Sequence, residues 1–180
     1  SDGRGMKIPL RSATTREGRL MAFPTTSVLD DFNRTNEGPP PSASWTTNIR
    51  GVTAGIKVSS NTCIPNAAGG NGYWNVSTFG PDSEVFFTFA DRGADVFYLY
   101  LRVTSPGSSV DGYLIFGNAA NTAIDYYRLD DGSFTQLGAS ESASFSTGDS
   151  VGFEAIGSDL TAYKKSGTWS ALTGRSDSTY

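Results

Sequence analysis

The chain has 180 residues, room for one domain with a proper core plus a tail. It contains no histidine, which removes the commonest general base and transition-metal ligand, and its lone Cys63 can form neither an internal disulfide nor a thiolate zinc cage. A net charge of −4 disfavours nucleic acid as the main partner, and no apolar run approaches a membrane span.

Residues 1–20 show neither alternation nor a helical stripe and read as a basic arm or non-native leader. They hold five basic and two acidic residues, +3, so the remaining chain carries −7. The domain is expected to run from residue 21 to residue 180. Ser27–Phe32 reads as a first strand, followed by a turn-rich loop ending in Pro39, Pro40 and Pro41. Trp45 opens a short strand. Gly55–Ser59 and Asn61–Ile64 pair across a tight turn, and Tyr73–Val76 follows a glycine-rich loop. Then come the clearest runs: Ser83–Ala90, Val96–Val103, Gly112–Phe116, Ala123–Leu129, Phe134–Leu137, Val151–Ile156 and Leu160–Lys165, each gap carrying turn residues. Asp130-Asp131-Gly132 is a hairpin turn between two of them. Short strands at this cadence, with nothing helical between, predict an all-β two-sheet sandwich or a barrel.

Alternation assigns the faces. Phe87 and Phe89, then Phe97, Leu99 and Leu101, then Val151 and Phe153 are the expected core. Tyr98, Tyr100 and Arg102 fall on the opposite face, where half-exposed tyrosines would stack on sugar rings and the guanidinium would bond their hydroxyls. Tyr126, Tyr127, Trp74, Tyr163 and Trp169 are further aromatics of this kind. A retaining glycosidase needs two carboxylates roughly 5–5.5 Å apart, which on one strand means an i, i+2 spacing. Glu84, Glu141 and Glu154 all lack that neighbour. Asp30 and Asp31 are hard oxygen ligands that would suit a structural Ca2+, the alternative to no cofactor at all.

The stretch Met21–Pro41 with its Asp-Asp-Phe sequence, together with Tyr98–Arg102, Asp111–Tyr113, Gly148–Gly152, Leu160–Tyr163, Trp169–Thr173 and Asp177–Tyr180, resembles concanavalin A-like (laminin G-like) jelly-roll domains. Such domains are met in uncharacterised bacteriophage and metagenomic proteins. The resemblance implies two stacked antiparallel sheets in a jelly roll. For function it implies a non-enzymatic structural or adhesive domain of a virion or other extracellular assembly, with a carbohydrate-binding module as the alternative and a glycoside hydrolase as a remote one. The expected partners are further copies of the chain or neighbouring virion proteins, and a surface glycan in the alternative reading. The resemblance also implies a closing strand beyond a position like Tyr180. The opening strand Val28–Phe32 is therefore expected to lack a partner and to be completed by Lys7, Ile8 and Leu10 of the arm, within one chain or between copies.

Overall fold

A computed structural model describes residues 23–107 and 109–180. Fourteen strands run in chain order: β1 (Trp45–Thr46), β2 (Ile56–Ser59), β3 (Thr62–Pro65), β4 (Tyr73–Trp74), β5 (Ser83–Thr88), β6 (Phe97–Thr104), β7 (Asp111–Gly117), β8 (Ala123–Asp130), β9 (Ser133–Gln136), β10 (Glu141–Ser142), β11 (Ser150–Ile156), β12 (Asp159–Ser166), β13 (Thr168–Ala171) and β14 (Arg175–Ser176). No helix lies among the described residues.

Two five-stranded antiparallel sheets stack. The front sheet has the order β10-β8-β7-β6, with β9 also on β8; the back sheet has the order β13-β12-β11-β5, with β14 also on β12. The chain leaves the back sheet after β5, builds the whole front sheet, and returns so that β11 lies beside β5. This is an all-β sandwich, one of the two architectures that the strand cadence allows, and it is consistent with the jelly roll that the resemblance implies. Asp131 and Gly132 join β8 to β9 with φ of 51° and 78°. Two successive positive φ values are the geometry whose twist matches that of the strands it joins.

Between the sheets lies the principal core: Phe89, Leu99, Leu101, Tyr113, Ile115, Ile124, Tyr126, Phe145, Val151, Phe153, Ala155, Leu160 and Ala162. Of the expected core, Phe89, Leu99, Leu101, Val151 and Phe153 are buried, while Phe87 and Phe97 are partly buried against it. The front sheet is apolar on its other side too, because Gly112–Ile115 of β7 are all buried. Leu114 and Leu129 point away from the sandwich and are covered by Ile49 and Val110, with Tyr73 packed alongside. Arg50 N and Gly51 N donate to the carbonyls of Pro106 and Gly107, fixing the Ile49 loop over the sheet at 3.0 and 3.1 Å.

Ser27–Phe32 is not a strand. The Asp30 and Asp31 carboxylates accept from the amides of Phe32 and Asn33, each at 2.9 Å, and Phe32 takes φ 54°. Two consecutive Asx turns bend the backbone out of extended geometry. The unpaired opening strand that Lys7, Ile8 and Leu10 were expected to complete is therefore absent at Val28–Phe32. Those three arm residues lie outside the described residues.

At the other end of the chain, the Tyr113 hydroxyl donates to Asp177 Oδ1 (2.7 Å) and accepts from Tyr180 N (3.0 Å). Arg128 Nη1 donates to Asp177 Oδ2 at 3.0 Å, and Tyr180 donates to Asp130 at 2.8 Å. Burial pushes the Asp177 carboxyl up, but the donors Tyr113, Thr179 and Arg128 outweigh it and bring it down to about 2.

Two outcomes test this arrangement. Leu99→Ala should cost about 2–5 kcal/mol in chemical denaturation, by lost burial plus a cavity. Because the folded Asp177 titrates below the unfolded value of about 3.9, its contribution is intact above about pH 4 and lost as pH falls towards 2. Melting temperature should fall over that window in the wild type and less steeply in Asp177→Asn.

Candidate functional site

The outward face of the front sheet carries aromatic residues from four strands. Register sets Tyr98 of β6 opposite Phe116 of β7 and Phe116 opposite Asp125 of β8. It also sets Tyr100 opposite Leu114, Leu114 opposite Tyr127, Tyr127 opposite Gln136, and Leu129 opposite Phe134 of β9. The rings touch in a diagonal series. Tyr98 and Phe116 have centroids 5.2 Å apart, Phe116 and Tyr127 6.5 Å, and Tyr127 and Phe134 5.3 Å. Tyr98 also stacks on Tyr100 at 6.1 Å. Arg50 closes the circuit, with its guanidinium carbon 4.1 Å from the Phe134 ring centroid. Burial raises the Tyr100 phenol pKa, while the adjacent Arg50 charge opposes the rise. Leu114, wholly buried, sits inside this ring of side chains.

Tyr98 and Phe134, at the two ends of the series, are 39% and 40% exposed, so each offers a ring face or edge to solvent. Between them Gln136 Nε2 donates to Asp125 Oδ1 at 3.1 Å, a polar pair among aromatic rings. Flat apolar surfaces beside fixed amide and carboxylate groups can hold a ring that is apolar on its faces and hydroxylated at its edge.

Tyr98 and Tyr100 share the outward face as the alternation predicts; Arg102 does not join them. Register shifts between Leu101 and Thr104, and Arg102 takes φ 52°, so the period of two breaks at this bulge. The Arg102 side chain is only 7% exposed. Its guanidinium donates to the main-chain oxygens of Pro81 (2.5 Å), Tyr180 (2.6 Å) and Gly157 (2.7 Å). It ties three chain segments together instead of facing a ligand.

Asp30 is likewise committed. It accepts from both Arg34 Nη atoms at 2.6 and 3.0 Å, from Trp45 Nε1 at 2.9 Å and from the Phe32 amide. Burial works against its ionisation, but these donors prevail and hold its pKa below the ordinary value. Asp30 is thus paired with the guanidinium of Arg34, while Asp31 accepts from the Asn33 amide. No group of three or more His, Cys, Asp or Glu is placed to hold a metal among the described residues. Cys63 lies half-buried on β3, with its thiol pushed up to about 11 by burial, a poor nucleophile at neutral pH.

The back sheet has an outward aromatic cluster of its own, but it is covered. Phe23 lies flat on Tyr163 (4.0 Å, 3° between planes) and edge-on to Trp169 and Phe86. Gly152 beneath it leaves the space that the ring occupies, since a Cβ there would strike the Phe23 ring. Glu84 and Glu154 stand directly opposite each other on β5 and β11, a carboxylate pair formed across strands that single-strand spacing does not reveal. Both are engaged. Glu84 Oε1 accepts from Thr25 N (2.8 Å), Thr26 N (2.6 Å) and Thr26 Oγ1 (2.6 Å), and Glu154 Oε2 accepts from Tyr163 at 2.8 Å. A shallow groove of about 420 Å³ lined by Asn121, Thr122, Ser144, Lys164 and Leu172 has no aromatic ring.

Phe116, Phe134, Arg50, Asp125 and Gln136 are the site residues that strand-by-strand reading misses. Phe134 is accessible from the tight Asp131-Gly132 turn, which fixes the β8–β9 register and sets it diagonal to Tyr127. Phe116 lies on a strand joined to β6 and β8 by longer connections that fix no register. Arg50 lies on a loop whose position only the folded layer determines.

The fold and face define an antiparallel β-sandwich with an exposed aromatic platform. No family model matches the chain, and no curated protein matches it. Among solved structures, it is similar to the carbohydrate-binding module CBM66 from Bacillus subtilis, at 16% identity and a TM-score of 0.48, over 76% of this chain and 81% of that one. At that identity and score the likeness carries no weight for the site, which rests on the geometry above.

The two expected site residues at opposite ends of β6 should separate cleanly. Arg102→Ala removes charged donors from three main-chain oxygens and should lower stability by about 2 kcal/mol or more. Tyr98→Ala should change it by roughly 0.5 kcal/mol or less. Urea denaturation of the two variants compares them directly.

Proposed function

We propose that this domain binds a carbohydrate chain on the outward face of the front sheet, without turning it over. The observation that carries this reading is the connected series Tyr98–Phe116–Tyr127–Phe134, exposed at both ends and flanked by the Asp125–Gln136 pair. Sugar rings stack on such a surface through their C–H faces, while edge hydroxyls exchange hydrogen bonds with a carboxylate and an amide. The sheet holds the rings at fixed spacing before any ligand arrives, which limits the ordering cost of binding.

Binding without turnover is supported by what the opposed carboxylates do. Glu84 and Glu154 lie on the other sheet, under the Phe23–Thr26 segment, with Glu84 Oε1 taken by three donors and Glu154 Oε2 by Tyr163. An adhesive role in an extracellular assembly is compatible with the same face. The virion setting rests on the sequence resemblance alone.

Affinity electrophoresis through gels containing soluble polysaccharides, backed by a glycan array, tests the proposal. Wild-type protein should be retarded by a discrete subset of glycans. Tyr98→Ala and Phe134→Ala should each weaken retardation by roughly threefold to tenfold with melting temperature nearly unchanged. Absence of any glycan signal from the wild type, or binding indifferent to both substitutions, overturns it.

A further inference from the structure

Resting on the carbohydrate reading, we infer that the bound sugar carries an anionic substituent, a uronate carboxylate or a sulfate ester, and that Arg50 selects it. The described residues contain six arginines, and five are spent. Arg34 and Arg128 pair with carboxylates. Arg92 and Arg175 donate to main-chain carbonyls, and Arg102 donates to main-chain oxygens. Arg50 has no carboxylate within salt-bridge reach among the described residues, and its Nε–H is buried without a hydrogen-bond partner.

The position of Arg50 gives that charge a use. Its guanidinium lies on the ring of Phe134, beside Tyr100, at one end of the exposed aromatic series. A flat cation resting on a ring and partly withdrawn from water, with its Nε–H buried and unpartnered, carries a desolvation cost that a nearby anion relieves. The planar fork matches the two or three oxygens of a carboxylate or sulfate, which a hydroxyl cannot match. A sugar stacked on Tyr127 or Phe116 would bring a charged exocyclic group towards this corner. The acidic group on the same face, Asp125, already receives Gln136 and faces the middle of the series. The net charge of −4 opposes a polyanion elsewhere on the surface, so the preference depends on the local cation at Arg50.

The test uses the full chain and three defined probes: a neutral β-1,4-glucan hexaose, an oligogalacturonate and a sulfated galactan oligosaccharide, titrated by calorimetry at low and high salt. One anionic probe should bind roughly tenfold tighter than the neutral one and weaken as salt is raised. The two anionic arms separate carboxylate from sulfate. Arg50→Gln should abolish the preference, and Arg50→Lys should keep part of it, with an unchanged far-UV spectrum as the control for folding. If the neutral hexaose binds as well as both anions, and binding depends on Tyr98 and Phe134 but not on Arg50, this inference fails while the carbohydrate reading stands. If no probe binds and no glycan signal is found on the array, both fall.

Discussion

A sheet that is apolar on both faces needs two covers. That constraint organises this molecule. Period-two alternation sends Leu99, Leu101, Tyr113, Ile115 and Tyr126 towards the back sheet, and the same alternation sends Tyr98, Tyr100, Leu114, Phe116 and Tyr127 the other way. The back sheet satisfies the first set. For the second, the chain supplies the Ile49 loop, which closes over Leu114 and Leu129 and stops short of Tyr98 and Phe134. The aromatic platform is the part of the second apolar face that the cover leaves open.

Guanidinium groups do much of the joining at the ends of the sandwich. Arg92 lies over Phe89 and Phe97 and donates to the carbonyls of Asp95 and Asn118. Arg102 joins segments around Pro81, Gly157 and Tyr180, and Arg175 lies over Tyr126 while donating to Leu137 and Ala139. Loop carbonyls that no strand can satisfy are satisfied this way, with the flat side of the cation resting on core rings. A lysine has one small ammonium and no flat face, so it would not replace these groups.

Much of this was legible in the residues. The seven runs from Ser83 to Lys165 became strands: alternation marks β6 and β8, while β7 and β11, buried at successive residues, are marked by short apolar runs between turn residues. The Asp131-Gly132 turn was equally plain. β10 and β14, two residues each, and β13 around Trp169 exist only because β8 and β12 offer unpaired edges to them, and no local pattern announces that. Ser27–Phe32 reads as a strand, but the side chains of Asp30 and Asp31 compete for the backbone and win. Arg102 left its expected face because the bulge lies in the pairing of two strands, beyond the reach of alternation along one. The Glu84–Glu154 apposition was hidden for the same reason, since cross-strand neighbours are set by register.

The ring of Phe23 also has a mechanical meaning. It is wedged into the middle of the back sheet, above Gly152 of a central strand, and the two residues after Pro24 hold Glu84. Tension arriving along the chain ahead of Phe23 therefore loads this peg and its three bonds before it reaches any strand edge. An edge strand can be peeled one bond at a time, whereas a peg must be drawn out whole. Load from the amino-terminal side is thus met first on the outer face of the back sheet, on the side of the sandwich away from the aromatic platform.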